Sequence, residues 1–178
     1  MNKLLKMSKG NKKLKKTLIF DLPSGKTCPK ANDCLAYVEL NAKGKTELKE
    51  GKNSIFRCYA ASQENQYPNV YKARKYNLDL ILKYLNKENG YFHAYLLIKE
   101  SIKKHITKNI NKVRIHSSGD FFNGEYLRAW LTVAREMPKL KFYCYSKSLH
   151  LFGTNVSIPD NFYLTASMGG LRDDLIHK

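Results

Sequence analysis

The sequence predicts an α/β fold: a single domain with a mostly parallel sheet and flanking helices. Short apolar stretches of strand character alternate with longer stretches of helical period, an order that favours parallel strands joined by helical crossovers. Three successive strand-like stretches end in small or polar residues, HSSGD, YSKS and TASMGG. A chain of 178 residues fits one domain. We assign residues 17–178 to this domain and residues 1–16, with seven lysines and no acid, to a flexible arm.

The first half of the domain combines short strands with two long helices. In chain order we predict strands at 17–22, 35–40 and 54–59, a polar hairpin or loop at 41–53, and helices at 71–87 and 91–110. The helices are indicated by leucine and isoleucine that recur at helical spacing. The strands are short and are bounded by glycine, proline or asparagine, which punctuate a chain at turns.

The second half centres on KVRIHSSGD, residues 112–120, in which Val113 and Ile115 alternate with polar residues as in a strand with one buried face. A helix is predicted at 125–137, where Pro138 ends it, and strands follow at 140–145 and 161–166. The inward positions of the helix are Leu127, Trp130, Leu131 and Ala134.

Polar side chains follow three consecutive strands of this predicted sheet. Because parallel strands end at one edge, we expect His116, Asp120, Lys147 and Ser167 to border a common cleft. We take His116, Asp120 and Lys147 as candidate catalytic residues, with Asp120 holding Lys147 or orienting His116 for proton transfer or ligation. The alternative is a structural turn, in which Asp120 caps the helix that begins near Asn123 and His116 packs in the core.

The charge of the chain favours a polyanionic partner. Lysine and arginine number 32 against 15 acids, which gives a net charge of +17 and predicts attraction to DNA or RNA. Candidate contacts in the arm are Lys12, Lys13, Lys15 and Lys16. The alternative is a solvated lysine-rich surface from a compositionally biased genome. The sequence has neither an apolar run long enough for a membrane span nor a secretory signal, so we expect a cytoplasmic protein.

Besides the net charge, the four cysteines are a feature of the sequence that indicates a function. Disulfides are disfavoured in the cytoplasm, so ligands, buried thiols or reactive groups are expected. Cys28, Cys34 and Cys58 are the candidate metal ligands, because thiolates bind zinc and iron and three of them can hold a cluster while one iron stays open. Three buried, unliganded thiols are the alternative. Cys144 lies mid-strand between two tyrosines and is predicted to be a core residue.

Several local motifs carry a family resemblance. The segments LPSGKTCPKANDC, RCYA, RIHSSGDFFNGEYLRAWLTVAREMP, FYCYSKSL and LTASMGG closely resemble the phage gene product 88 family, over roughly residues 18–170. The resemblance implies a phage or prophage protein that works in the cytoplasm of a bacterial host. It does not imply a particular activity.

A more distant likeness concerns the plan of the chain, which is similar to that of radical SAM enzymes. Those enzymes place three cysteine ligands of a [4Fe–4S] cluster after the first strand of a partial α/β barrel, so the likeness implies a partial-barrel-like sheet with Cys28, Cys34 and Cys58 as ligands. S-adenosylmethionine is the second implied cofactor. The implied residues of the pocket mouth include Ser117, Ser118, Ser146 and Ser167. The cysteine spacing departs from the CxxxCxxC pattern of that family.

Three functional hypotheses follow. The first is an iron–sulfur enzyme of radical-SAM-like plan that acts on a nucleic acid or nucleotide. The second is a non-catalytic, basic nucleic-acid-binding protein in which zinc occupies a structural site. The third is a metal-free phage effector that binds a host protein.

Overall fold

The computed structural model describes residues 3–10, 12–153 and 155–176. The strands are β1 (Ser8–Lys9), β2 (Thr17–Phe20), β3 (Ala36–Leu40), β4 (Thr46–Glu50), β5 (Lys112–Ile115), β6 (Lys141–Ser146) and β7 (Phe162–Ala166). The helices are α1 (Tyr59–Gln66), α2 (Pro68–Leu85), α3 (Gly90–His105) and α4 (Gly124–Glu136), with single 3-10 turns at Leu149–Phe152 and Asp173–Leu175.

The main sheet has five strands in the order β1-β2-β5-β6-β7. β2, β5, β6 and β7 run parallel, and only β1 is antiparallel to its neighbour. The predicted α/β class with a mostly parallel sheet is therefore confirmed, and within the described residues the sheet stays open rather than closing into a barrel. Phe20, Ile115, Cys144 and Leu164 are in register across the four parallel strands, so the loops that follow these strands meet at one edge.

One face of the main sheet carries the core. Alternate strand residues, such as Phe20, Val113 and Phe142, are fully buried against α3 and α4. Trp130 of α4 is also fully buried, and its ring lies 5.2 Å from that of Phe20. Burial of a large apolar side chain contributes about 1.5–3 kcal/mol, so this layer holds the sheet against the two helices.

Part of the stretch predicted as a flexible arm packs on the rest of the domain. Leu5 is only 1% exposed, and its backbone N–H donates to Ser101 Oγ at 2.9 Å. The side chain of Asn77 binds both the N–H and the carbonyl of Lys6, each at 2.8 Å. The physical reason is the apolar residues between the lysines: Leu5 and Met7 pack on the core while the lysine heads stay outside. The charge run alone did not reveal this packing.

The segment between the second and third cysteines also differs from its prediction. Residues 54–57 form no strand, although their composition favours one. Ile55 and Phe56 are 80% and 54% exposed, so these two side chains lack the burial that stabilises a strand. The stretch predicted as hairpin or loop supplies β4, which pairs with β3 in a separate two-stranded sheet. No helix in the described part of the chain is long and apolar enough to span a membrane.

Candidate functional site: a pocket lined by three thiols

A cavity of about 290 Å³ lies at the carboxyl edge of the parallel strands. Cys28, Cys34 and Cys58 all line it. The predicted site residues that line the same cavity are His116, Ser117, Ser118, Asp120, Lys147 and Ser167. Of the predicted set only Ser146 and the arm lysines are not among its lining residues. The structure thus brings together the cysteines and the three strand ends that the sequence singled out.

Backbone hydrogen bonds position the three cysteines. Cys28 lies in the turn after β2, where its N–H donates to the carbonyl of Gly25 at 2.9 Å. Cys34 follows a second turn, and the carbonyl of Asp33 accepts the N–H of Ile55 at 2.8 Å. This bond returns the chain after the β3–β4 hairpin and delivers Cys58, which immediately precedes α1.

The loop after β7 closes the pocket from the other side. The carbonyl of Gly169 accepts the N–H groups of Asn32 and Asp33 at 3.2 and 3.1 Å. Gly170 forms an antiparallel bridge with Ala31. The TASMGG segment therefore holds the cysteine loop in place, which explains how residues far apart in sequence form one site.

Burial disfavours the thiolate form of two of the three cysteines, Cys28 and Cys34. Burial, reinforced by the negative charge of Asp120, raises the pKa of Cys28 far above its usual range. Burial also raises the pKa of Cys34, against the opposing effect of the Lys147 ammonium. Metal ligation would therefore release protons here. Within the described residues, no three His, Cys, Asp or Glu side chains form a group that could hold a single metal ion.

His116 is buried in an unusual backbone conformation. Its φ of 64° lies in the left-handed region, and its side chain Nε2 is 2.8 Å from the hydroxyl of Tyr126. Its Nδ1 has no hydrogen-bond partner among the described residues. Burial lowers the pKa of His116 to about 3, so the imidazole is neutral near neutral pH. The predicted contact with Asp120 is absent, because the imidazole pairs with Tyr126 instead.

Asp120 organises the neighbouring loop. Its carboxylate accepts hydrogen bonds from Ser146 Oγ at 2.6 Å, Lys147 N–H at 2.8 Å and Ser148 N–H at 3.2 Å. The helix α4 is capped by Asn123, whose Oδ1 accepts the Tyr126 N–H at 2.8 Å. Asp120 therefore holds Lys147, through the backbone N–H of that residue, whereas Asn123 takes the predicted role of helix cap. Burial raises the pKa of Asp120 despite these bonds.

The Lys147 ammonium instead reaches the loop after β7. It donates to Ser167 Oγ at 2.9 Å and also to the carbonyl of Met168. Ser146, predicted at the pocket mouth, is buried and donates to Asp120. Lys147 and Ser167 thus form one wall of the pocket, and Ser146 supports that wall from behind.

Sequence reasoning missed a buried ionic network beside the pocket. Arg74 pairs with Glu64 at 2.9 Å and with Asp21 at 3.4 Å. Glu64 also accepts from Ser24 Oγ at 2.8 Å and from Ser118 Oγ at 3.1 Å. These bonds join the cysteine loop, the HSSGD loop and two helices.

Asp21 is the one member of this network that its position in the sequence could have indicated. Asp21 directly follows β2, and the other site residues likewise follow parallel strands of the sheet. It accepts hydrogen bonds from the Ser117 hydroxyl and N–H, both at 2.7 Å. Glu64 and Arg74 lie within helices, where a buried acid or base looks the same as a solvated one.

The predicted nucleic-acid contacts lie elsewhere on the molecule. Lys12, Lys13, Lys15 and Lys16 are all exposed. Lys13 and Lys15 line a shallow cavity together with Lys112 and Lys141, the first residues of β5 and β6. This basic surface is at the opposite end of the strands from the thiol pocket.

Fold and site define a class: an open, mostly parallel α/β protein with a three-thiol pocket at the carboxyl edge of its sheet. The chain belongs to the gene product 88 family of phage proteins, since the model of that family, described as Gene product 88, matches residues 2–178. The predicted family is therefore confirmed. No curated protein and no solved structure gives a significant match. The likeness to radical SAM enzymes stays a prediction.

Proposed function

We propose that this phage protein is an iron–sulfur protein in which Cys28, Cys34 and Cys58 hold a [4Fe–4S] cluster. The observation that carries the proposal is that three thiols from three separate segments line one pocket. That pocket lies at the carboxyl edge of a parallel sheet, where α/β proteins place ligands. Cys144, by contrast, is fully buried in the core.

The donor set suits a cluster better than a single ion. A structural zinc needs four ligands around one point, at about 2.3 Å for each sulfur. The described residues include no group that meets this requirement. A cluster binds each thiolate through a different iron atom, so its ligands stand further apart, and three thiolates leave one iron open.

The surrounding residues would tune and enclose such a cluster. A bound cluster supplies or accepts one electron, and its potential depends on hydrogen bonds and exposure. Lys147 adds a positive charge to the pocket wall, which favours thiolate over thiol at Cys34. The likeness to radical SAM enzymes extends the proposal to S-adenosylmethionine as a second cofactor. Its candidate binding residues Ser117, Ser118 and Ser167 line the same pocket as the cysteines.

Anaerobic purification tests the proposal. The protein should be brown, with charge-transfer absorption and about four iron and four sulfide per chain. Cys28→Ser, Cys34→Ser and Cys58→Ser should each lower the iron content, whereas Cys144→Ala is the matched control and should retain it. A colourless protein with stoichiometric zinc would replace this proposal with a structural metal site. Absence of any metal after reconstitution would favour the effector hypothesis.

Association with nucleic acid is the second part of the proposed function. The specific observation in its favour is the basic surface at the other end of the strands, on a chain of net charge +17. Phosphate contacts release counterions, so affinity for an oligonucleotide should fall steeply between about 50 and 200 mM salt. Affinity that does not change with salt would exclude phosphate contacts as the source of binding.

A further inference from the structure

We propose that the open face of the main sheet is a binding platform for single-stranded nucleic acid. We call it the tyrosine face and define it by the outward residues Lys112, Arg114, Lys141, Tyr143, Tyr145 and Tyr163. The inference deepens the proposed association with nucleic acid and rests on it. It does not depend on the proposed cluster.

Strand geometry sets these side chains on one surface. Residues in a strand alternate between faces, and Phe142 and Cys144 of β6 are buried on the helical side. Tyr143 therefore projects from the other side, paired in register with Arg114 on β5 and with Tyr163 on β7. Neighbouring strands are about 4.8 Å apart, so these residues form a continuous row across the sheet.

Two of the tyrosine rings on this face are exposed to solvent instead of packing in the core. Tyr145 and Tyr163 are 49% and 50% exposed. The hydroxyls of Tyr143, Tyr145 and Tyr163 have no hydrogen-bond partner among the described residues. The Arg114 guanidinium lies 5.7 Å from the centre of the Tyr145 ring, and its Nε is buried with no hydrogen-bond partner in the described part of the chain. Exposed rings and an arginine plane are the groups on which unpaired bases stack.

The charge of the tyrosine face complements phosphate. The parallel strands β2, β5, β6 and β7 contain no acidic residue. Lys112 and Lys141 are direct cross-strand partners, and neither forms an ion pair within the described residues. Like charges in such a position repel each other, and a bound phosphate would relieve this repulsion. Lys13 and Lys15 extend the same basic surface.

A single strand fits this face better than a duplex does. Bases in a duplex are stacked on each other and cannot lie on tyrosine rings, whereas an unpaired strand can offer bases to the rings and phosphates to the lysines. Arg114 and Tyr145 also line the thiol pocket. A strand that crosses the tyrosine face would therefore bring a nucleotide to the mouth of that pocket.

The test uses fluorescence anisotropy with a labelled oligothymidylate of about 15 nucleotides and the full-length protein. Tyr163→Ala should weaken binding about tenfold or more, whereas Tyr163→Phe should bind like the parent because stacking needs only the ring. Phe92→Ala is the matched control, since Phe92 is an equally exposed aromatic residue on α3.

Replacing Lys112 and Lys141 with Gln tests the phosphate contacts and should lower the slope of log affinity against log salt by about 1.4. Thermal melts establish that each variant is folded.

The outcomes that contradict the proposal distinguish a failure of the tyrosine face from a failure of the association with nucleic acid. If Tyr163→Ala and Tyr143→Ala both bind like the parent, the tyrosine face is not the platform, although the association with nucleic acid stands. If a matched duplex binds more tightly than the single strand, the single-strand inference fails. If the parent binds neither, both the association and the platform are refuted. An oligouridylate of equal length is measured in parallel, and the platform is supported when Tyr163→Ala weakens the binding of either strand.

Discussion

Glu64 is the residue on which the shape of the thiol pocket depends most. It is fully buried, and it joins Arg74 to the hydroxyls of Ser24 and Ser118. Because Ser24 precedes the first cysteine and Ser118 belongs to the HSSGD loop, one carboxylate holds together two walls of the pocket. A buried charge of this kind costs free energy unless all of its partners are present.

Neutralising this carboxylate should destabilise the protein strongly. Glu64→Gln keeps the size of the side chain but leaves the buried Arg74 with Asp21 as its remaining acidic partner. We expect the free energy of unfolding to fall by about 3 kcal/mol, measured by urea denaturation. Asp79→Asn is the control, since the exposed Lys75–Asp79 pair should contribute less than about 0.5 kcal/mol. Equal losses in the two variants would contradict the structural role of Glu64.

His116 gives the pocket a pH-dependent stability. The imidazole has its ordinary pKa near 6.5 in the unfolded chain and a pKa of about 3 in the folded one. Between these values the unfolded state binds more protons, so the free energy of unfolding falls as the pH falls. The contribution of His116 is complete above pH 6.5 and decreases by about 2 kcal/mol between pH 7 and pH 5.

The His116→Asn variant isolates this contribution, because asparagine tolerates the left-handed conformation and does not titrate. We expect wild-type protein to lose about 2 kcal/mol more than the variant between pH 7 and pH 5, as measured by urea unfolding at each pH. Parallel losses in the two proteins would show that other groups set the acid stability.

At the scale of elements, Gly119 lies where the loop after β5 packs closely against the loop after β2. Its φ is +85°, and a Cβ there would lie 2.6 Å from Thr27 Oγ1 and 2.7 Å from Leu22 Cβ. Gly119→Ala should therefore lower the free energy of unfolding by at least about 2 kcal/mol and disturb the pocket. Gly124→Ala is the matched control, because its Cβ would meet open space at the start of α4 and should be neutral or slightly stabilising. Thermal and urea unfolding of both variants check this contrast.

The same scale shows which elements a sequence can predict. β5, β6 and α4 have one buried face each, and their alternation or helical period is visible in the residues alone. The cysteines share a pocket with the strand ends as expected, since parallel strands end together. The helix α1 was missed because its residues, YAASQENQ, are mostly polar and show little apolar period. It is held by tertiary contacts such as the buried Arg74–Glu64 pair, which no local pattern encodes.

The partners within the site were also beyond the reach of sequence reasoning. Asp120 was expected to hold Lys147 or to orient His116, and it holds Lys147 through the backbone of the loop after β6. Strand order predicts which loops are neighbours, whereas the direction of a side chain within a loop depends on backbone angles such as the left-handed φ of His116. The meeting of these strand ends at one cavity was thus predictable, and the hydrogen bonds between their side chains were not.

At the scale of the whole molecule, groups of different chemical character lie in order along the strands of the parallel sheet. The basic residues Lys112 and Lys141 start the strands, exposed tyrosines follow on the open face, and the thiol pocket lies at the far end. The helices α3 and α4 pack on the other face and provide much of the core. One sheet thus carries, in order along its strands, the proposed phosphate-binding edge, the proposed stacking surface and the proposed metal site.

The net charge of +17 should also govern how stability responds to salt. Excess positive charge destabilises a compact state through self-repulsion, and salt screens that repulsion as the Debye length shortens. Raising potassium chloride from about 20 to about 150 mM should therefore increase the melting temperature by about 2–4 °C, as measured by calorimetry. A variant with Lys12, Lys15, Lys112 and Lys141 replaced by Gln should show a smaller increase, because four of the repelling charges are gone. A melting temperature that falls with salt would mean that surface ion pairs outweigh the repulsion.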